Sequence, residues 1–156
     1  MLRGKAFWGY VGRFIVVHLA TYVLMGVIWM NLANYGEAFQ QEAVAGFMRP
    51  VDDPIVALGI PMQIPRGALL AIALWPFHAI IVGKGGWWKL ALVLWVLTGI
   101  GAVITGPGSL EGMVYTTLGF GNPLVGLPEV TLQVLLFSWL LWRWERKALA
   151  KREAAV

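Results

Sequence analysis

An all-α, polytopic membrane protein is what this sequence predicts: a bundle of four transmembrane helices with a short amphipathic helix on its outer face. Three observations lead there. Hydrophobic residues make up 59% of the chain and charged residues only 13%, about half the charge of an ordinary soluble domain. Four apolar segments are each long enough to cross a bilayer. Basic residues gather on one side of those segments and acidic residues mostly on the other. With 156 residues there is room for one domain, so residues 1–156 are read as a single integral membrane unit.

The first span covers about residues 11–32, "VGRFIVVHLATYVLMGVIWMNL". Arg3, Lys5 and Arg13 stand at its start, as in a signal peptide. Its apolar run is too long for a signal core and no small-x-small cleavage site follows, so it reads as a retained anchor.

The connection that follows reads "NYGEAFQQEAVAGFMRPVDDP". Phe39, Ala43 and Phe47 recur every fourth residue, with Val44 and Met48 beside them. Glu37, Gln40, Gln41 and Glu42 fall largely elsewhere, giving a helix suited to lie on a leaflet. Asp52-Asp53-Pro54 has the form of a helix cap followed by proline at the first helical position. "PIVALGIPMQIP" holds three prolines and is not one regular helix.

The second span, about 62–82, ends on "GALLAIALWPFHAIIV". Pro76 removes a donor within it, which predicts a kink and leaves the Ile72 carbonyl without its usual partner. The third span, about 87–106, carries Thr98, Ala102 and Gly106 at four-residue spacing, widened by Gly99 and Gly101. Small residues in such a strip let another helix approach closely. That helix belongs either to this chain or to a partner, in a homo-oligomer or a larger membrane complex. The fourth span, about 128–144, starts at Pro128 and is followed by the basic tail 145–156. The tail continues the helix and suits an anionic lipid surface.

Charge fixes the expected direction. Arg3, Lys5, Arg13, Lys84, Lys89, Arg143, Arg146, Lys147, Lys151 and Arg152 flank one side, which carries +8 once Glu145 and Glu153 are counted. The other side holds Arg49 and Arg66 against six acids, a net of −4. By the positive-inside rule both termini are cytoplasmic and the location is the plasma (inner) membrane. Trp8, Trp75, Trp87, Trp88, Trp142 and Trp144 collect toward the same boundary, where indole rings prefer to lie. Topology and lipid account for the basic residues, and no nucleic-acid partner is expected.

Arg66 is the most informative position. It stands near the hydrocarbon boundary and in the first turn of a helix, two settings that disfavour a lone cation. Glu111 and Glu129 lie on the same side, Gln133 is one turn below Glu129, and the loop between the last two spans adds Tyr115 and Asn122. Three readings of this outer-face cluster stand: Arg66 snorkels to lipid phosphate, it forms a structural pair with a glutamate, or it holds a ligand.

His18 and His78 sit about 10 and 6 Å from the cytoplasmic boundary, at 1.5 Å per residue. Two imidazoles on antiparallel neighbours are the ligand set of a bis-histidine haem. His18 shares a helix face with Tyr22, Gly26 and Trp29. A histidine hydrogen-bonded to a neighbouring helix, such as to the carbonyl freed by Pro76, is the plainer reading. No metal site is expected, because no third ligand lies near the pair.

The chain lacks cysteine and shows no phosphate loop, dinucleotide fingerprint, HExxH or GxSxG. The leading expectation is therefore a non-enzymatic accessory subunit or binding module of the membrane. An enzyme or carrier acting on a lipid or small amphiphile at the outer-face pocket is the alternative. A haem-binding electron carrier through His18 and His78 is the second.

Overall fold

The computed structural model describes residues 2–38, 40, 46, 49–100 and 123–154, and among them every regular element is helical. The long helices are α1 (Leu2–Leu32) and α6 (Pro123–Glu153). Between them come α2 (Tyr35–Ala38), α3 (Gln63–Leu74), α4 (His78–Val82) and α5 (Gly86–Trp95). Glu111, Tyr115, Asn122, Ala102 and Gly106 lie outside the described residues, as do Phe39, Ala43, Val44, Phe47 and Met48 of the expected amphipathic helix.

α1 starts well before the apolar run, because nothing in "LRGKAFWGY" stops a helix. It ends where Asn34 takes the left-handed conformation, φ 46°, which asparagine tolerates better than most residues. Asp53 departs from the expected cap. Its Oδ1 accepts the Ile55 N–H at 2.8 Å in a local turn, and a 3₁₀ turn at Val56–Gly59 follows.

Pro76 does interrupt the second span, in a 3₁₀ turn over Trp75–Phe77. The Ile72 carbonyl is not left open: the Trp75 N–H closes a tighter bond onto it. His78 therefore has no free carbonyl to seek there.

A tight turn joins α4 to α5. Gly85 is left-handed, φ 68°, and a Cβ on Gly86 would meet the Ile81 carbonyl oxygen at 1.8 Å. Only glycine fits such a close backbone approach. Trp142 Nε1 donates to the Gly83 carbonyl at 3.1 Å, tying this turn to α6. α5 runs into a π turn at Val96–Ile100, where Gly99 leaves helical geometry (φ −113°, ψ −108°). α6 begins at Pro123 rather than Pro128, which lies inside the helix. Glu129 is accordingly within α6 and not at its first turn.

α1 packs against α3 on one side and α6 on the other, and α6 also packs on α5. Tyr10, Phe14 and Val17 of α1 meet Ala71, Leu90, Leu94, Phe137 and Leu141 in the core. The Phe14 and Phe137 rings meet edge to face at 4.8 Å, a favoured aromatic geometry.

The outward faces are equally apolar. Val16, Val27, Leu69 and Leu97 are 54%, 53%, 69% and 67% exposed. Contiguous apolar surface of this kind marks contact with lipid or protein. Two described helices are long and apolar enough to cross a membrane, Gly4–Leu32 and the interrupted Val56–Val82. Gly86–Gly99 is apolar but shorter. The third expected span breaks at the π turn, and 101–106 lie outside the described residues; the described chain thus gives two helices that are both long and apolar enough to cross a membrane, where four were expected.

Candidate functional site

Two polar clusters lie inside the bundle, at neighbouring levels of α1, one around Arg13 and the other around His18. The first is a cleft of about 220 Å³ between α1, α3, α5 and α6. His18, Tyr22, Arg66, Thr98, Glu129 and Gln133 supply its polar lining. Phe14, Leu70, Leu94, Val130, Val134 and Phe137 make the rest of the wall. Three of the outer-face candidates, Arg66, Glu129 and Gln133, are thus brought to one cavity.

The expected Arg66–glutamate pair is not among the ion pairs of the described residues. Glu129, which lines the cleft, instead accepts a hydrogen bond from the Tyr35 hydroxyl. Burial, and then this bond to Glu129, push the Tyr35 phenol above its ordinary value. The sequence offered little warning of Tyr35, which opens the short helix α2, 94 residues from its partner.

His18 is only 8% exposed and stands in the cleft wall beside Gly67, whose missing Cβ would lie 3.2 Å from His18 Cδ2. A side chain at 67 would push the imidazole aside. His18 Nε2 and Gln63 Oε1 are both buried and make no hydrogen bond of normal geometry, although the two side chains are close enough to interact. Buried polar atoms in this condition call for water or a ligand. His18 and Tyr22 do share a face, and both line the cleft. Thr98 lines it too, with its hydroxyl bonded back to the Leu94 carbonyl at 2.7 Å.

The second cluster was not anticipated. Glu145, expected in a solvated tail, is 1% exposed. It takes the Arg13 guanidinium through both carboxylate oxygens, Nη2 to Oε2 being 3.1 Å, and His78 Nε2 lies 3.0 Å from Oε2. The Tyr10 ring packs edge-on to the His78 ring at 5.0 Å, and its buried hydroxyl has no hydrogen-bond partner among the described residues. The available signal was one carboxylate, Glu145, set among "RWERK" directly after an apolar run. Around it Arg143 and Arg146 stack over Trp139 and Trp142 at 5.2 and 5.1 Å, facing outward.

The two histidines do not converge. His78 packs at the level of Tyr10, and His18 is eight residues further along α1, about 12 Å. The Tyr10 and Phe14 rings stand between them. Axial imidazoles must face each other across one iron, so these residues do not suit a bis-histidine haem. Among the described residues no group of three or more His, Asp or Glu is placed to hold a metal ion.

Comparison of the chain with protein-family models, with curated proteins and with solved structures gives no match.

Proposed function

We propose that this chain is a small polytopic membrane protein acting as a non-enzymatic binding module, with the Arg66 cleft as its recognition site. The carrying observation is an exposed cation with no ion pair among the described residues, standing at a cleft lined half by polar and half by apolar side chains. An ionisable side chain in a membrane helix is costly and marks a candidate functional site. Arg66 supplies a fixed positive charge, Gln133 and Tyr22 supply neutral hydrogen-bonding groups, and Phe14, Leu70 and Val134 supply apolar contact.

The membrane reading rests on the two long apolar helices and their outward apolar faces. Both termini are cytoplasmic in this reading. Arg13 is spent inside the bundle on Glu145, yet nine basic residues against two still favour that side. The absence of cysteine makes topology direct to measure. Ala57→Cys in whole cells should react with a membrane-impermeant maleimide, and Ala154→Cys should react only after lysis. The reverse pattern would invert the orientation.

Binding is tested by native mass spectrometry of protein purified in mild detergent. Retained lipid or partner, lost on Arg66→Gln while the helical content holds, is the expected result. A bare monomer for both proteins would remove the binding-module reading.

A further inference from the structure

Resting on the binding-module reading, we propose that the cleft selects a single-chain amphiphile whose head carries one negative charge. Three features of the cavity lead to this class. Arg66 is its cation and Glu129 its carboxylate. A monoanion beside Arg66 neutralises the guanidinium and leaves the site at one net negative charge, that of Glu129. A dianion would bring a second negative charge beside Glu129, and like charges at this range repel.

The second feature is hydrogen bonding. His18 is more than nine-tenths buried, stands in the wall, and its Nε2 lacks a partner of normal geometry among the described residues. An oxygen-rich head answers both that nitrogen and the fork of Arg66, which matches carboxylate and phosphate oxygens. The third feature is size. About 220 Å³ is below the usual volume for a whole drug-sized ligand. It holds a head and the first part of a chain between Phe14, Leu70 and Val134, and the remaining methylenes stay in the bilayer along the exposed apolar faces. A two-chain lipid has no room for its branch point inside.

Glu129 then acts as a charge filter, held in place by the hydrogen bond from Tyr35. A carboxylate head and a phosphodiester head meet the same requirement, and the experiment separates them.

Wild-type protein in phosphatidylcholine nanodiscs is titrated with four probes: oleate, lysophosphatidylglycerol, monoolein, and dodecyl phosphate at about pH 8.5, where it is a dianion. Occupancy is read by native mass spectrometry. Saturable binding of oleate or lysophosphatidylglycerol, at least tenfold tighter than of the other two, is expected, and the tighter of the pair names the head group. Arg66→Gln should lose at least tenfold in that affinity, and Arg66→Lys should keep most of it. Glu129→Gln should admit dodecyl phosphate, a gain that a folding defect cannot mimic. Preferential binding of monoolein or dodecyl phosphate by the wild type overturns the ligand class and leaves the module standing. No saturable binding of any probe overturns both.

Discussion

Removing Glu145 should be the most damaging single change to the inner end of the bundle. Its carboxylate receives two hydrogen bonds from Arg13 and lies against His78 Nε2, with side-chain exposures of 2% for Glu145, 15% for Arg13 and 17% for His78. Glu145→Leu leaves the guanidinium nearly buried without a counter-charge. Breaking a buried pair from one side costs about 3–5 kcal/mol. The triad joins α1, α4 and α6, so the loss falls on three helices together. Replacing both partners, Arg13→Met with Glu145→Leu, removes the stranded charge and should recover most of the stability, since apolar substitutes for buried pairs are often neutral. The assay is reversible unfolding in neutral micelles by added ionic detergent, followed by far-ultraviolet circular dichroism. A loss below about 1 kcal/mol for Glu145→Leu would refute the reasoning, because the pair would then be solvated and weak. So would a double variant no more stable than the single one, which would place the damage in packing and not in charge.

Other expectations follow from single contacts. Gly67→Ala sets a methyl 3.2 Å from His18 Cδ2 and 3.5 Å from the Ile15 Cα; it should cost about 1–3 kcal/mol in the same assay and weaken whatever the cleft binds. Gly86→Ala, 1.8 Å from the Ile81 carbonyl oxygen, should prevent the α4–α5 turn and show as loss of monodisperse protein on size exclusion. Tyr35 is held above its ordinary value by burial and by Glu129. Its contribution to stability is therefore complete below about pH 10 and is lost as pH rises through the elevated value. On Tyr35→Phe the ultraviolet titration should lose one late-ionising tyrosine, and a loss of amplitude at about pH 10 instead would place Tyr35 in solvent. Thr131→Val removes the acceptor of the Trp95 Nε1 hydrogen bond, 3.0 Å long, and should cost about 0.5–1.5 kcal/mol by the same unfolding measurement.

Much of the secondary structure was open to reading because its causes are local. Apolar runs, the Pro76 break, the glycine turn at 85–86 and the irregular start of the second span each follow from residues within one or two turns. Boundaries were less legible. α6 starts at Pro123, since a proline such as Pro128 costs a helix one donor without forbidding it, and the Ile72 carbonyl found a 3₁₀ partner that simple proline counting omits. The cleft was partly visible: Arg66, Glu129 and Gln133 were placed together by side and depth, whereas Tyr35 and Gly67 were not, because nothing local marks them as neighbours of that site.

From the sequence alone come the helical class, the apolar surfaces, the asymmetry of charge and the conspicuous cation at 66, all of them sums or short-range patterns of side-chain chemistry. Only the tertiary structure decided the pairing. Glu145 and Arg13 are 132 residues apart, and which of ten basic side chains a lone carboxylate meets depends on helix rotation and register. The same rotation gave Glu129 to Tyr35 and left Arg66 facing an open cleft.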